Sequence, residues 1–454
     1  MDKKELLVIG GGPVGITLAR KLAKKMNVAI VRPEDHSMIY CAMPYAVEGI
    51  MDVKKTFKKD SLVTDSGAEL IRDTVASVDF ENKTILFESG DKLGYDKLVL
   101  ATGAVPLIPP VPGHDLKGVM GFKTQADMEY ITDLCEHGLR RAVVVGAGAI
   151  GIELAQALQF RGVHVSLVDM ATSILPNLAD SEMVEYPAEA LTRTGMHMIL
   201  NARVESLHGR KFAEHVDLDN GERIHLDSQD EYSDASDSIQ HSLVIFATGV
   251  RAETALVENS EIEIGRGGIK VNSRMETNVP DVYACGDCTE YISGITGELI
   301  GGKLATNAVP MAKVLAANLL GDPREYDGFY NGAATKVQNW YVGGTGFTAA
   351  NAAAAGFKVV AGYGETTTQF PIMPDAKPMR VKLIAEAGSG RLIGGQIVSG
   401  EPVTGRIDLL TYAIQMNSTL RDLLKLSYSA QPYQSFFPAA SAIVLAVENA
   451  LTKV

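Results

Sequence analysis

The chain opens with a pattern of apolar and polar positions that predicts a strand, a tight turn, a helix and a second strand. An apolar run at 6–9 ends in the glycine-rich segment 10–15 (GGGPVG), and apolar residues then recur at helical spacing over 16–26. A second apolar run follows at 28–31. A G-x-G-x-x-G turn between strand and helix is the context in which this motif binds a dinucleotide, because the helix N-terminus faces the phosphates.

The same unit recurs later in the chain. Residues 142–145 lead into the glycine segment 146–151 (GAGAIG), a helix through Phe160 and an apolar run at 163–168 that ends in Asp169. The two glycine segments begin 136 residues apart, and a second motif, LVLATG at 98–103, repeats as LVIFATG at 243–249. Duplication of two motifs in the same order predicts two dinucleotide sites that take different dinucleotides.

Composition and charge narrow the class of protein. The 454 residues are 46% hydrophobic and 21% charged, which is typical of a globular chain. The net charge of −13 disfavours a nucleic-acid-binding surface. Four cysteines are too few for a disulfide framework, the N-terminus lacks a signal-peptide core, and no run approaches the ~20 apolar residues of a membrane helix. We therefore expect a soluble cytoplasmic protein without a membrane span.

With a further motif at 277–287 (TNVPDVYACGD), the chain resembles the pyridine nucleotide–disulfide oxidoreductases over nearly its whole length. The resemblance implies an α/β fold: two Rossmann-like domains, for FAD and for NAD, and a C-terminal α+β dimerisation domain that makes the protein a homodimer. The implied bounds are 1–111 and 246–325 for the FAD domain, 112–245 for the NAD domain and 326–454 for the interface domain. The acidic, Ser-rich stretch 226–241 is interpreted as a solvated insertion.

The resemblance also implies the residues that hold the cofactors. For FAD they are Gly10, Gly12, Pro13, Gly15, Arg32, Glu34, Val75, Ala101, Thr102, Gly103, Asp287 (at the ribityl chain) and Ala305. For the nicotinamide dinucleotide they are Gly146, Gly148, Ile150, Gly151, Glu153, Asp169 and Gly249. A carboxylate at Asp169 favours NADH over NADPH, because it bonds the ribose 2′-hydroxyl and repels a 2′-phosphate. Glu153 has an equal alternative as a plain helix-surface residue.

Cys41 is the candidate redox residue. Related disulfide reductases carry two cysteines five residues apart in this region, but here His36 and Ala46 occupy the two positions five residues from Cys41. The chain thus resembles the single-cysteine branch, which includes coenzyme A-disulfide reductases, persulfide and polysulfide reductases, and NADH oxidases and peroxidases. A thiolate at a helix start beside a flavin could attack a sulfur–sulfur bond. The alternative is a buried, inert cysteine.

The other three cysteines are interpreted as unreactive. Cys285 and Cys288 form a C-x-x-C, but no second such pair or histidine pair accompanies it, so we expect packing residues and no metal site. Cys135 is expected to lie on a polar surface helix and to be inert.

Coenzyme A is a possible further ligand, with Ser37 as a residue lining its channel and Arg20, Lys21, Lys24 and Lys25 as a basic helix face for its phosphates. A solvated helix surface is the alternative for that face. Near the C-terminus, Tyr428 and Tyr433 resemble a family segment that reaches into the partner subunit's active site, where a phenol donates a proton. The alternative for both is an amphipathic interface residue.

Three departures from the family pattern bear on substrate choice. Val31 and Arg32 stand where an acidic residue usually binds the FAD ribose, which leaves Glu34 or the backbone for that role. Ala149 replaces an aromatic gate over the flavin, and residues 373–376 (MPDA) replace a tyrosine-containing stretch of the coenzyme A-disulfide reductases. A wider pocket could suit persulfides or polysulfide.

The predicted function is an FAD enzyme that passes electrons from NADH through the flavin to Cys41, and on to a coenzyme A disulfide, persulfide or polysulfide. Two alternatives stay open at this point. One is an NADH oxidase in which Cys41 cycles through a sulfenic acid while O₂ or peroxide takes the electrons. The other is a non-catalytic flavoprotein that senses NAD(H).

Overall fold

The computed structural model describes residues 2–226 and 242–453. The insertion predicted at 226–241 therefore lies outside the described residues, apart from Leu226, which is buried. The chain forms two compact units, each described here by itself. The first unit comprises residues up to Met43, 51–107 and 249–329, and the second comprises 44–50, 108–248 and the residues from Tyr330 onward.

The first unit is built on a seven-stranded sheet with a parallel centre. Strand Lys3–Ile9 pairs in parallel with Val28–Val31 on one side and with Lys92–Leu100 on the other. Leu6 and Leu7 are both fully buried although they point to opposite faces, because each face carries its own apolar cluster. The remaining strands of this sheet are Glu69–Ile71, Val75–Asp79, Thr84–Phe87 and Val282–Ala284.

Two helices, Pro13–Leu22 and Ala305–Leu319, cover one face of this sheet, and Leu18 and Leu315 belong to the same apolar cluster.

The predicted end of the first helix was wrong. The helix ends at Leu22, whose carbonyl accepts the N–H of Lys25 at 2.8 Å in a tightened last turn. Arg20 and Lys21 lie in the final helical turn, but Lys24 and Lys25 lie beyond it and do not extend a basic helix face.

Short elements complete this part of the chain. Two antiparallel ribbons pair Ser37–Met38 with Phe57–Lys58 and Ala104–Pro106 with Val250–Ala252. The short helices are Tyr40–Ala42, Met43–Glu48, Val53–Thr56, Ser61–Thr64 and Ala255–Val257.

The second unit contains a second parallel sheet of five strands. Their order is Val119–Gly121, Ser242–Phe246, Arg141–Val145, His164–Asp169 and His197–Leu200. The helices that follow or precede these strands are Gln125–Glu136, Ala149–Phe160, Ser181–Met183 (a 3₁₀ turn) and Glu185–Arg193. A three-stranded antiparallel sheet consists of Val204–His208, His215–Leu218 and Arg223–His225. The predicted pair of Rossmann-like sheets is confirmed.

The same unit carries an antiparallel sheet in its C-terminal part. The strand order is Ala333–Val337, Trp340–Gly346, Leu392–Ser399, Pro378–Glu386 and Val359–Thr367. Glycines on this sheet let the last helix approach closely, since a Cβ at Gly362 would lie 1.9 Å from the carbonyl oxygen of Ala446. The helices of this part are Ala349–Ala354, Thr404–Gln415, Leu420–Leu423, Pro438–Ala440 (a 3₁₀ turn) and Ala442–Leu451.

Across residues 2–226 and 242–453, no helix has both the length and the apolar character that crossing a bilayer requires.

A buried lysine of the antiparallel sheet pairs with carboxylates in the segment between the strands His164–Asp169 and His197–Leu200. Lys382 is 3% exposed, lies 2.7 Å from a carboxylate oxygen of Asp180, and also pairs with Glu182. Gln396 donates to the same Asp180 carboxylate at 2.7 Å. Burial alone would raise the pKa of Asp180, but the hydrogen bonds from Lys382, the Ala349 N–H and Gln396 outweigh it and lower the pKa. Lys382 supplies the charged partner among the groups that stabilise the carboxylate form of Asp180.

The first prediction concerns this ion cluster. Lys382→Met keeps most of the side-chain volume but leaves Asp180 as an uncompensated buried charge, so we expect a loss of about 3–5 kcal/mol in the unfolding free energy. The measurement is urea unfolding near pH 7, where the carboxylates are ionised in both the folded and the unfolded state. Lys425→Met is the control because its pair with Asp422 is exposed, and its effect should stay below about 1 kcal/mol. Equal midpoints for the two variants would contradict the prediction.

Candidate functional site

The first glycine loop is pressed against the end of a neighbouring strand. Gly10 has φ +128°, and a Cβ there would lie 2.1 Å from the carbonyl oxygen of Ala101. A Cβ at Gly15 would lie 2.2 Å from the carbonyl oxygen of Gly10. At Gly12, which precedes the helix Pro13–Leu22 without a side-chain cap, a Cβ would meet nothing within 4 Å. Gly10 and Gly15 are thus in close backbone contact, whereas space remains beside Gly12 at the helix N-terminus. A pyrophosphate would bind in that space.

The second glycine loop has the same construction. Gly146 has φ +115°, and a Cβ there would lie 2.5 Å from the carbonyl oxygen of Ala247. A Cβ at Gly151 would lie 1.9 Å from the carbonyl oxygen of Gly146, while one at Gly148 would meet nothing within 4 Å. Both loops therefore fit the dinucleotides implied by the sequence, and the repeated A-T-G motif supplies the backbone against which each loop packs.

The residue that replaces the usual acid at the end of the strand Val28–Val31 is buried. Arg32 is 4% exposed, pairs with Asp60 and donates to the backbone oxygen of Asp35 at 3.0 Å. Its Nε is buried without a hydrogen-bond partner among the described residues, and its methylenes fill the space beside Gly11. Glu34 is exposed. Sequence reasoning missed Asp60, which also pairs with Arg72, because the pairing joins distant parts of the chain.

The other residues predicted to contact FAD lie at the edges of the same unit. Asp287 accepts a hydrogen bond from the hydroxyl of Tyr291 at 2.8 Å, and Thr102 donates to the backbone oxygen of Glu253 at 2.6 Å. Positive φ at Gly103 (+82°) shapes the same turn. Ala305 is exposed at the start of its helix, and Val75 begins an edge strand.

Cys41 lies in the 3₁₀ turn Tyr40–Ala42, directly before the helix Met43–Glu48, and its side chain is exposed. The preceding ribbon places Ser37 opposite Lys58. Burial lowers the pKa of Lys58, and the nearby sulfur of Cys41 acts in the opposite direction. The ammonium of Lys58 therefore lies near enough to interact electrostatically with the sulfur of Cys41. The helix that follows, Met43–Glu48, has only six residues. Lys58 was missed because the ribbon pairing is not visible in the sequence pattern.

Ser37 is 7% exposed, and its hydroxyl has no hydrogen-bond partner among the described residues. A buried hydroxyl without a partner is costly, so it is suited to accept or donate a bond to a ligand.

The other cysteines are held in the thiol form. Burial raises the pKa of Cys285 and of Cys288, and the Cys288 thiol donates to the carbonyl oxygen of Leu100 at 3.4 Å. The side chain of Cys135 is half-buried and not on a fully polar surface as predicted, and this burial raises its pKa to about 11. All four cysteines lie in the described part of the chain, and Cys41 alone is exposed.

The second loop continues into two acidic residues with defined partners. Asp169 accepts from the backbone N–H of Ala147 at 2.5 Å and from that of Ala171 at 2.7 Å, so its carboxylate fixes the loop. Glu153 is half-buried and accepts from the hydroxyl of Thr335 at 2.7 Å and from that of Tyr45 at 3.2 Å.

Burial raises the pKa of Glu153, and these two hydrogen bonds partly offset the effect. Glu153 and Tyr45 line a cavity of about 1030 Å³ that extends along the helix Ala149–Phe160. Tyr45 was not predicted as a site residue, because its contact with Glu153 joins distant parts of the chain. Ile150, in the same helix as Glu153, is about half exposed (51%). Gly249 belongs to the first unit and has φ +107°.

The C-terminal tyrosines lie outside helices and strands, and Tyr433 is in a turn. The Tyr428 hydroxyl donates to the carbonyl oxygen of Pro438 at 2.5 Å, and its ring packs edge-on against Phe436. Tyr433 is 64% exposed. The predicted coenzyme A residues Arg20 and Lys24 are both exposed in the first unit.

The second prediction tests the cation beside Cys41. Lys58→Met removes a positive charge near the sulfur of Cys41. Because nearby positive charge promotes reaction of a cysteine sulfur with an alkylating agent, alkylation of Cys41 by iodoacetamide at pH 7 should slow roughly threefold to tenfold. Lys59→Met is the matched control because Lys59 is the adjacent, exposed lysine, and its rate should match the wild type. An unchanged alkylation rate in Lys58→Met would show that Lys58 does not influence the thiol. Peptide mapping identifies the alkylated cysteine.

Comparison with known proteins places this geometry in a family. The family model for pyridine nucleotide-disulphide oxidoreductases matches residues 4–312, and the model for their dimerisation domain matches residues 333–439. An NADH oxidase of Methanocaldococcus jannaschii is 34% identical over 467 residues, which cover 98% of this chain and 98% of that protein.

Two further relatives carry sulfur-related names. A CoA-dependent NAD(P)H sulfur oxidoreductase of Pyrococcus furiosus is 29% identical, and the match covers 93% of this chain and 94% of that protein. The solved structure of an NAD-dependent persulfide reductase from A. fulgidus has a TM-score of 0.89 at 28% identity, and the match covers 99% of this chain and 83% of that one.

These matches confirm the resemblance and the fold class predicted from the sequence. Both glycine loops fit their expected ligands: the residues at 10–15 would hold FAD, and those at 146–151 would hold NAD(H). The chain belongs to the pyridine nucleotide-disulphide oxidoreductase family, and it is an oxidoreductase that uses FAD and NAD(H).

Proposed function

We propose that this enzyme uses NADH to reduce sulfur–sulfur bonds through the thiolate of Cys41. The observation that carries the proposal is the contrast among the four cysteines. Burial raises the pKa of Cys135, Cys285 and Cys288, whereas Cys41 is exposed and lies near the ammonium of Lys58. The names of the sulfur oxidoreductase and the persulfide reductase among the relatives support the same acceptor class.

The thiolate acts as the nucleophile. It attacks one sulfur of a disulfide, persulfide or polysulfide R–S–S–R′, forms the mixed disulfide between Cys41 and R–S, and releases R′–S⁻. The two electrons that cleave this mixed disulfide would come from NADH by way of the flavin chemistry that FAD supplies when it is bound. The products are R–S⁻ and the regenerated Cys41 thiolate. With no second reactive cysteine in the chain, the acceptor itself must provide the other sulfur.

Other residues of this chain would bind and orient. The residues at 10–15 and 101–103, with Arg32, Asp287 and Ala305, would hold FAD. The loop 146–151, Glu153 and Asp169 would hold the nicotinamide dinucleotide. The division into an FAD domain (1–111 and 246–325), a NAD domain (112–245) and an interface domain (326–454) is part of the proposal. A homodimer is also part of the proposal. In it, Tyr428 or Tyr433 of one subunit would donate a proton to the leaving thiolate in the active site of the other subunit.

Coenzyme A is proposed as a carrier of the acceptor sulfur. The supporting observation is the buried hydroxyl of Ser37, which lies four residues before Cys41 and has no protein partner among the described residues. Arg20 and Lys24 are exposed in the same unit and would supply charge for the phosphates.

A second candidate, the NADH oxidase, is favoured by the relative at 34% identity. In that reaction the Cys41 thiolate attacks a peroxide oxygen, becomes a sulfenic acid and releases hydroxide. The exposed position of Cys41 admits a peroxide as readily as a persulfide, so the acceptor has to be identified by experiment.

The third prediction identifies the acceptor. With saturating NADH, wild-type protein should release sulfide from polysulfide, or free thiol from coenzyme A disulfide, in proportion to the NADH consumed. Cys41→Ser should lower this rate at least about a hundredfold because the nucleophile is lost. Reduction of the bound flavin by NADH should persist in that variant. Cys135→Ser is the matched control and should keep wild-type turnover.

The oxygen electrode provides the decisive comparison. Oxygen or peroxide consumption that accounts for all the NADH in the presence of either sulfur acceptor would favour the oxidase. Undiminished sulfur reduction in Cys41→Ser would exclude Cys41 from the reaction.

The fourth prediction concerns the dinucleotide. The charge of Asp169 should make kcat/KM at least about tenfold higher for NADH than for NADPH, through repulsion of the 2′-phosphate. Asp169→Asn retains an oxygen that can accept a hydrogen bond from a loop N–H but removes the charge. The ratio of kcat/KM for NADH to kcat/KM for NADPH should therefore fall. Glu205→Gln, an exposed carboxylate of the same unit, should leave the ratio unchanged. A higher kcat/KM for NADPH in the wild type would contradict the role of Asp169.

A further inference from the structure

The three-stranded sheet of the second unit has one apolar and one polar face. Leu207, Val216 and Ile224 are buried on one side. Because side chains alternate along a strand, the residues next to them point to the other side. The polar face consists of two cross-strand rows, His208–His215–His225 and Ser206–Asp217–Arg223.

Three imidazoles thus lie side by side. His208 is directly paired with His215, and His215 with His225, in the register of the sheet. The rings of His208 and His215 have centroids 4.8 Å apart with planes at 14°, and those of His215 and His225 are 6.2 Å apart. Backbone pairing, which holds directly opposite Cβ atoms about 4.5–5.5 Å apart, enforces this proximity.

A carboxylate completes the group. The nearest ligand atoms of His208, His215 and Asp217 all lie within 4.8 Å of one another. Around a tetrahedral zinc ion with bonds near 2.0–2.1 Å, the ligand atoms are separated by about 3.4 Å. The side chains must therefore approach by about 1.5 Å, which the partly exposed His208 and Asp217 can do by rotating.

Arg223 competes with a metal ion for this carboxylate. Its guanidinium makes two hydrogen bonds to Asp217, of 2.6 and 2.9 Å. The His208 ring also lies 3.3 Å from Asp217 and 2.9 Å from the hydroxyl of Ser206. A bound cation would replace the positive charge of Arg223 beside the Asp217 carboxylate. It would also be coordinated by the ring nitrogens of His208 and His215.

We propose that His208, His215 and Asp217 form a surface site for a borderline divalent transition metal such as Zn²⁺, with water in the fourth position. Two imidazoles and one carboxylate are a donor set that zinc accepts, and the absence of thiolates sets the site apart from a copper(I) or iron–sulfur centre. His225 is paired with His215 on the strand away from His208, and its ring would limit the movement of the His215 ring.

The test is a calorimetric titration of the chelator-treated holoenzyme with Zn²⁺. Wild type should bind one ion at this site. His215→Asn and the exposed His208→Asn should each weaken that binding at least tenfold. Arg223→Gln should tighten it at least threefold because the competing cation is gone. His137 is an exposed histidine directly after the helix Gln125–Glu136. The control variant His137→Asn should bind Zn²⁺ as the wild type does.

A second arm separates this site from the reactive thiol. Cys41→Ser should retain the Zn²⁺ binding that His215→Asn and His208→Asn lose. Wild-type affinity in both histidine variants, or loss of Zn²⁺ binding in Cys41→Ser, would overturn the proposal.

Discussion

Both nucleotide sites depend on a contact that tolerates no side chain. At the third glycine of each loop the helix backbone lies so close to the first glycine that a Cβ would lie about 2 Å from its carbonyl oxygen: 2.2 Å at Gly15 and 1.9 Å at Gly151. The first glycine in turn adopts a positive φ and lies against the carbonyl of Ala101 or Ala247. At these positions strand, loop and helix meet backbone to backbone, and the front of the loop, at the second glycine, has space for phosphate oxygens.

The same contact explains what could be predicted from the sequence. Glycine is the one residue that satisfies a positive φ and a close approach together, so both loops and their partner motifs are visible in the residue pattern. The parallel strands are equally visible, because strands buried on both faces are continuous apolar runs such as 6–9 and 142–145.

The surroundings of the candidate site were less predictable, because they depend on pairings between distant residues. Arg32 is buried only because Asp60 meets it across 28 positions. Lys58 approaches Cys41 through a ribbon of two residues per strand, which is too short to leave a periodic signal. Tyr45 reaches Glu153 across 108 positions. The end of the first helix was misjudged because Met26 fits the helical spacing, although the last turn tightens at Leu22.

The buried Lys382 has a consequence for motion within the second unit. Its pairs with Asp180 and Glu182 connect the segment between the strands His164–Asp169 and His197–Leu200 to the antiparallel sheet, and Gly344 lies against the carbonyl of Leu178 in the same segment. Sliding this segment past the antiparallel sheet would separate a buried ammonium from its carboxylates, so such shear is disfavoured. The segment and the antiparallel sheet should therefore move together.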